Sequence, residues 1–440
     1  MKTSQPILTS VIVIASVVGA ACSGSTDAHE TPTKAVETSA VTNERVADAA
    51  TQEAAAAKPA AAPVVDAPLA QSRRDLLRRA YDVASSIPTQ PHHKTRGKYQ
   101  EMVVEAALEL DQPATALDFA RGIENWRRGA AIAEYALYLA ENHPDSDLAA
   151  LLDEARQVAV DAAKAEEQEW RVNTIRAKMA KVKLRLGDDD GAQALIVGVD
   201  GPEIGEVDRY RATTATKAEA TSRMAYVDEI LGQGDFNSQS NVLFVCAEFH
   251  RRFYDDPDLR ADLEEKITEG WGKIPLGVRL DLLFELADSA REHSDREHAV
   301  EILGDAHAMM DAAHWLPQDH ARILGRMAKE LCAAGELSWA RTDADQGLAV
   351  YQQEAERITN IERTEALLPL AEVYVDLGDT ATARKVYALA VEAAVVNPNS
   401  CPRAEDLTQI LLSLASKSFD PGAEIVARIG ELAGALSDPW

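Results

Sequence analysis

The sequence lacks every short motif that would mark a reaction centre. It has no glycine-rich phosphate loop, no G-x-S-x-G elbow, no His-Glu-x-x-His pair and no Cys/His nucleophile arrangement. Carboxylates are so numerous, 72 in all, that no pair stands out as an acid/base couple. Cysteine is scarce. Apart from Cys22 near the start, only Cys246, Cys332 and Cys401 remain, and three thiols cannot all pair within one chain. The expectation is buried free thiols, not a disulfide-stapled scaffold. Aromatic residues make up only 5 % of the chain. Beyond the N-terminus there are no alternating Val/Ile/Thr runs bounded by hairpin turns, so almost no sheet is expected. Positive charge is also short. Residues 1–22 carry +1 and residues 23–72 carry −4, which leaves −24 of the total −27 on residues 73–440. A surface of that sign repels phosphate, which argues against nucleic acid and against face-on docking to an anionic membrane.

The ten histidines invite a metal reading that their spacing does not support. His293, His298, His307, His314 and His320 are 5, 9, 7 and 6 residues apart, which scatters them around a helix. The expectation is solvated or singly hydrogen-bonded rings, no metal ligands and no cofactor. His92-His93-Lys94, between Pro91 and Gly97, reads as an interhelical loop. Asp188-Asp189-Asp190 lacks the alternating ligands of a calcium loop and reads as helix capping after Gly187.

What the sequence does have is a repeat. A small residue is followed seven positions later by a turn-compatible one, and five positions after that by a second small residue. Ala371, Gly378, Ala383 is the clearest copy. Ala328, Gly335, Ala340 follows the same spacing, as do Ala180, Gly187, Ala192 and Ala287, Ser294, Ala299. Looser copies are Val104, Asp111, Ala116 and Ala225, Gly232, Asn237. Two antiparallel helices approach closely only where small side chains cross, and the residue between them takes the turn. Each hairpin then has one apolar face for its partner helix and one for the next hairpin. A single hairpin cannot bury both, so hairpins stack.

Leu370-Ala371, Tyr374, Gly378, Ala383, Tyr387, Ala390 and Pro398 together resemble the tetratricopeptide-repeat family. The resemblance covers roughly residues 100–436 and implies an all-α, right-handed solenoid of antiparallel helical hairpins. Alanines at 136, 180, 225, 287, 328, 371 and 415 lie 41–45 residues apart, longer than the family's repeat, except for a 62-residue step after Ala225. An irregular insertion near 232–270 is therefore expected within a solenoid spanning 73–440.

The N-terminus reads as an address. Lys2 precedes an apolar run from Ile7 to Ala21, too short for a spanning helix but suited to a secretory signal. The run ends at Gly19-Ala20-Ala21-Cys22-Ser23, which resembles a bacterial lipobox with Cys22 as the lipidated residue; an ordinary cleaved signal peptide is the alternative. Residues 1–22 are thus expected to be a lipoprotein-type signal. Residues 23–72, rich in Ala, Thr, Pro and Glu with almost no large apolar residue, are expected to be a disordered tether. Export and anchoring to an envelope membrane follow, with an outer membrane facing the periplasm or surface as the expected site. The lipid would be the only membrane contact.

A solenoid without a reaction centre presents a long surface for another protein or peptide, so the expected function is a non-catalytic envelope scaffold. The alternative is a carbohydrate- or small-ligand-binding surface lipoprotein. Candidate partner contacts are Phe236 and Phe249 in the irregular stretch, together with Arg128, Arg279 and Arg363. Each of these arginines sits eight residues before an anchor alanine. The aromatic rings either fill a packing wedge or meet a partner. The arginines either bind the last carbonyls of the preceding helix, or an acid there, or form a ladder of cations along a groove.

Overall fold

In the computed structural model, residues 64–165 and 168–440 are described. The signal segment, Cys22 and most of the expected tether lie outside them. The described residues contain nineteen α-helices and no strand. They are α1 (Gln71–Ser86), α2 (Thr89–Glu109), α3 (Pro113–Arg121), α4 (Arg127–Asn142), α5 (Ala149–Lys164), α6 (Glu169–Arg185) and α7 (Asp189–Ile196). There follow α8 (Pro202–Thr214), α9 (Lys217–Gln233), α10 (Phe236–Arg252), α11 (Pro257–Gly270), α12 (Leu276–Glu292) and α13 (Arg296–Asp311). The last six are α14 (Pro317–Ala333), α15 (Leu337–Glu354), α16 (Asn360–Asp376), α17 (Thr380–Val395), α18 (Ser400–Ser416) and α19 (Ala423–Gly434).

Five of the six repeat copies are hairpin turns of one construction. Asp111, Gly187, Ser294, Gly335 and Gly378 are all left-handed, with φ between 53° and 82°. The amide of the next residue in each case donates to a carbonyl five residues back. These bonds are Gln112 to Ala107, Asp188 to Lys183, Asp295 to Ala290, Glu336 to Leu331 and Asp379 to Tyr374, at 2.8–2.9 Å. This bond ends one helix, and the same residue starts the next: Asp188, Asp295 and Asp379 accept from the amides of Gly191, His298 and Thr382. The flanking small residues are buried at the crossing, Ala371 and Ala383 completely so.

The sixth copy is not a turn. Gly232 lies inside α9 and Ala225 is exposed. Nor does 232–270 interrupt the stacking: it contains the end of α9 and a full hairpin, α10 with α11. In α10 the buried Cys246 and Ala247 supply the small surface that alanines supply elsewhere. Phe249 is core and Phe244 packs partly buried, whereas Phe236 at the first position of α10 is 44 % exposed. His92 and His93 lie at a kink near the start of α2, where Gln90 and His92 have non-helical backbone angles, instead of in a longer interhelical loop.

The even-numbered helices pack side by side in chain order, from α2 through α4, α6, α8, α10, α12, α14 and α16 to α18. They run parallel, because α14 and α16 pair near both ends in register, Arg322 with Glu365 and Lys329 with Glu372. Close approach at this crossing requires Gly325, since a Cβ there would stand 2.8 Å from the Pro369 Cβ. The odd helices flank this row and bury mainly one face, as α15 and α19 show, whereas α10, α12 and α18 are buried on several.

The row then returns to its start. Helix α18 packs against α2, and α1 lies along α18 as an outer partner, in the way α17 lies along α16. Leu76, Leu77, Ala80, Val83 and Ala84 of α1 are buried. The Arg73 guanidinium donates to the carbonyls of Ala415 (2.6 Å) and Ser416 (2.9 Å) at the C-terminus of α18. Tyr99 of α2 donates to Glu405 of α18 at 3.2 Å. The stack is therefore a closed ring of nine inner helices among the described residues, and its closing hairpin pairs α1 with α18.

The expected tether boundary shifts accordingly. Residues 64–70 are extended and docked, with Val64 and Leu69 against the core. Asp66 accepts from the amides of Ala114 and Thr115 and from the Thr115 hydroxyl, and so caps α3 from outside its own helix.

Because Ala371 sits with no free space at its hairpin crossing, Ala371→Leu is expected to cost about 1–3 kcal/mol by overpacking. Urea denaturation measures it, and an unchanged midpoint would show that the crossing is not tight.

Candidate functional site

The inner helices turn their charged residues toward one another. Lys178 of α6 is the centre of one network. Its ammonium lies 3.4 Å from Glu101 and 3.6 Å from Glu105, both on α2, and 3.3 Å from Glu134 on α4. Arg127 also pairs with Glu101, and Lys181 reaches Glu134 and Glu206. Burial opposes the charge on Lys178, but the surrounding carboxylates hold its pKa well above the ordinary lysine value. This lysine is a permanent cation, not a neutral nucleophile. Burial likewise opposes ionisation of Glu134, yet Lys178 and Lys181 bring it down to about 2.

A second network joins α8, α10 and α12. Arg209 binds Glu248 (2.7 Å) and Glu285 (2.8 Å), and Arg251 binds the other oxygens of both, at 2.9 and 2.8 Å. Each carboxylate thus bridges two guanidinium groups, in bonds short enough to be charge-assisted.

At several other inner acids burial outweighs the nearby cations and donors. Burial pushes Glu105 and Glu109 up to about 7. Burial and the neighbouring Asp288 take Glu330 to about 8, and burial with Glu405 takes Asp406 to about 8. Glu105 nonetheless keeps 45 % of its side chain exposed to solvent. The charge of Lys329 on α14 partly offsets the effect of burial on Glu109.

A third cluster joins α10, α11 and α13. The Nε2 atoms of His250 and His298 both point at Oε1 of Glu264, at 3.0 and 3.2 Å. Sequence reading missed it, because the three residues are 14 and 34 positions apart and only His298 belongs to the histidine-rich stretch. The sole available signal was a histidine and a glutamate on successive helices of the α10–α11 hairpin.

The sequence-predicted contact residues are not brought together. Arg279 and Arg363 donate through Nε to the carbonyls of Ile274 (3.0 Å) and Ile358 (3.1 Å), five residues earlier in each case. The Arg128 Nε is buried with no hydrogen-bond partner. Phe249 is 4 % exposed, which leaves Phe236 as the accessible ring of that pair.

Large exposed apolar side chains gather at one rim, where the inner helices begin and the outer ones end. Trp170, Phe236, Leu316 and Ile361 stand at or beside the first residues of α6, α10, α14 and α16. Val197 and Val396 follow α7 and α17 at the same end. The turn-side rim shows Leu186, Leu337 and Val65, the last beside the Asp111 turn. Two surface hollows are shallow, one beside Arg252, Phe253 and Asp256 and the other beside Arg296, Val300 and Glu336. Neither gathers aromatic rings as a sugar site would. No helix among the described residues is long and apolar enough to cross a membrane.

The raised acids fix a pH dependence. Each holds a proton in the folded chain over the interval from the ordinary carboxylate value to about 7 or 8, where the unfolded chain has lost it. Stability therefore falls as pH rises through that interval. Glu134 acts oppositely, and its contribution is lost only as pH falls below the ordinary range toward 2. His298 is raised by its bond to Glu264 and His250 is lowered by burial, so the two oppose each other. The melting temperature is expected to peak near about pH 5 and decline toward about pH 8, less steeply in a Glu109→Gln/Glu330→Gln double variant. A melting temperature that climbs over this interval would contradict the assignment.

No protein-family profile matches the chain, and no curated protein matches it either. Among solved structures it is similar to one described as a "Circular tandem repeat protein with novel repeat topology and enhanced subunit contact surfaces", at 16 % identity over 82 % of this chain and 81 % of that one, with a TM-score of 0.15. Agreement that weak carries no argument, and the all-helical repeat fold rests on the helices and turns described above.

Proposed function

We propose that this protein is a non-catalytic scaffold of the cell envelope, a tetratricopeptide-like ring anchored through a lipid on Cys22, that binds another protein or peptide at the rim where the inner helices begin. The observation that carries this reading is the uneven distribution of exposed apolar side chains, six at that rim against three at the other. Separate exposed residues are ordinary on any surface, but their collection at equivalent ends of successive repeats is what a repeat protein uses for recognition. The net charge of −24 on residues 73–440 selects the partner's chemistry: a cationic surface or peptide with apolar side chains to set against Trp170, Phe236 and Ile361. Trp170 is held ready by edge-on packing against Trp126, with ring centroids 5.2 Å apart.

The test is site-specific photo-crosslinking in envelope preparations, with the probe at Leu316 or Ile361 and, as control, at Leu389 on the outer surface of α17. Adducts with one discrete protein are expected only from the rim positions. A Trp170→Ala/Phe236→Ala variant should weaken capture at least tenfold with an unchanged melting temperature. Equal adducts from Leu389, or a loss of capture that tracks unfolding, would overturn the reading. Acyl labelling of the wild type against Cys22→Ser reads the anchor separately.

A further inference from the structure

The strongest unexplained chemistry in the molecule is the junction of α10, α11 and α13. His250 is fully buried, Glu264 is one-third exposed, and His298 keeps 24 % of its side chain accessible. One ligand atom from each residue lies within 4.8 Å of the other two. Two imidazole nitrogens and one carboxylate oxygen, at mutual separations of 3.0 and 3.2 Å along two edges, match the spacing of donors around one small cation with bonds of about 2.0–2.2 Å.

The outer nitrogens are held as well. His250 Nδ1 is 2.8 Å from the buried Ser289 hydroxyl, and His298 Nδ1 is 3.3 Å from Glu301 Oε2. Such contacts fix the ring orientation and leave both Nε2 lone pairs directed at the same point. Without a cation, His298 has a carboxylate at each nitrogen and must carry two protons to satisfy both. Tyr254 walls the cluster: it stacks on His293 at 4.7 Å, meets His250 edge-on at 5.3 Å and donates to Asp295 at 2.9 Å. Arg260 is the opposing group. Its Nε lies 3.8 Å from Glu264 Oε1 and its Nη1 4.0 Å from Asp295, its guanidinium stacks 4.6 Å over the Tyr254 ring, and it is 29 % exposed, so a cation at the site requires it to move outward.

We infer that His250, Glu264 and His298 form a binding site for a divalent transition-metal ion of borderline character such as Zn²⁺, which cross-braces the α10–α11 hairpin to α13 and keeps at least one coordination position for solvent. Histidine nitrogen with a single carboxylate suits Zn²⁺ or Co²⁺ better than Ca²⁺ or Mg²⁺, which require mostly oxygen.

The test uses chelator-treated full-length protein. Calorimetric titration with Zn²⁺ should show one saturable equivalent, and Co²⁺ should give visible ligand-field bands of a site with nitrogen ligands. His298→Ala and Glu264→Gln should each weaken binding at least tenfold with unchanged far-ultraviolet circular dichroism, whereas His314→Ala, at an exposed histidine, should not. Long-range ¹H–¹⁵N spectra of the wild type, which depend on no variant's folding, should show the Nε2 resonances of His250 and His298 moving on Zn²⁺ addition. No saturable binding, equal binding by His298→Ala and Glu264→Gln, or movement confined to other histidines would overturn the site.

Discussion

The docking of α1 against α18 is the constraint from which the rest of the architecture follows. A helical hairpin has two apolar faces, and any open stack leaves one uncovered at each end. Here the uncovered outer face of α18 receives Leu76, Leu77, Ala80 and Val83, and Arg73 takes up the terminal carbonyls of Ala415 and Ser416. Burying each large side chain contributes roughly 1.5–3 kcal/mol, set against the entropy of closing a loop more than three hundred residues long. That entropy grows only with the logarithm of length, which is why one well-packed helix is enough to close so large a ring.

Closure decides where the charge goes. In an open solenoid the polar faces of the inner helices would see bulk water. In the ring they see one another, and an acidic chain must then pair, protonate or hydrate its carboxylates. Lys178 with Glu101 and Glu134 and the Arg209–Arg251 square are the paired solution, and Glu109 and Glu330 are the protonated one. Buried ion pairs of this kind add little net stability over apolar packing, but removal of one partner leaves an uncompensated charge. They therefore fix which helices may be neighbours more than they hold the helices together.

What was legible in the sequence was local. The five left-handed turns declare themselves because one residue must adopt positive φ and the next must cap a helix, as Gly378 and Asp379 do within two positions. Ala225, Gly232 and Asn237 carried the same spacing without the geometry, because Gly232 continues a helix whose stop comes at Gly234. Residues 64–70 looked like tether because their composition is weak, yet a single aspartate, Asp66, ties them to the start of α3. Ring closure and the His250–Glu264–His298 cluster were not legible at all. Both depend on which hairpins become neighbours in space, and no periodicity within one hairpin records that.

Hydrogen exchange on a chain lacking residues 64–86 tests the closed ring most directly. If α1 completes the hairpin of α18, its removal should strip amide protection from α18 and α19 as well as from α2, although α18 lies more than three hundred residues further along the chain. Loss of protection confined to α2 and α3, with α18 exchanging as slowly as in the intact protein, would contradict the ring and leave an open stack.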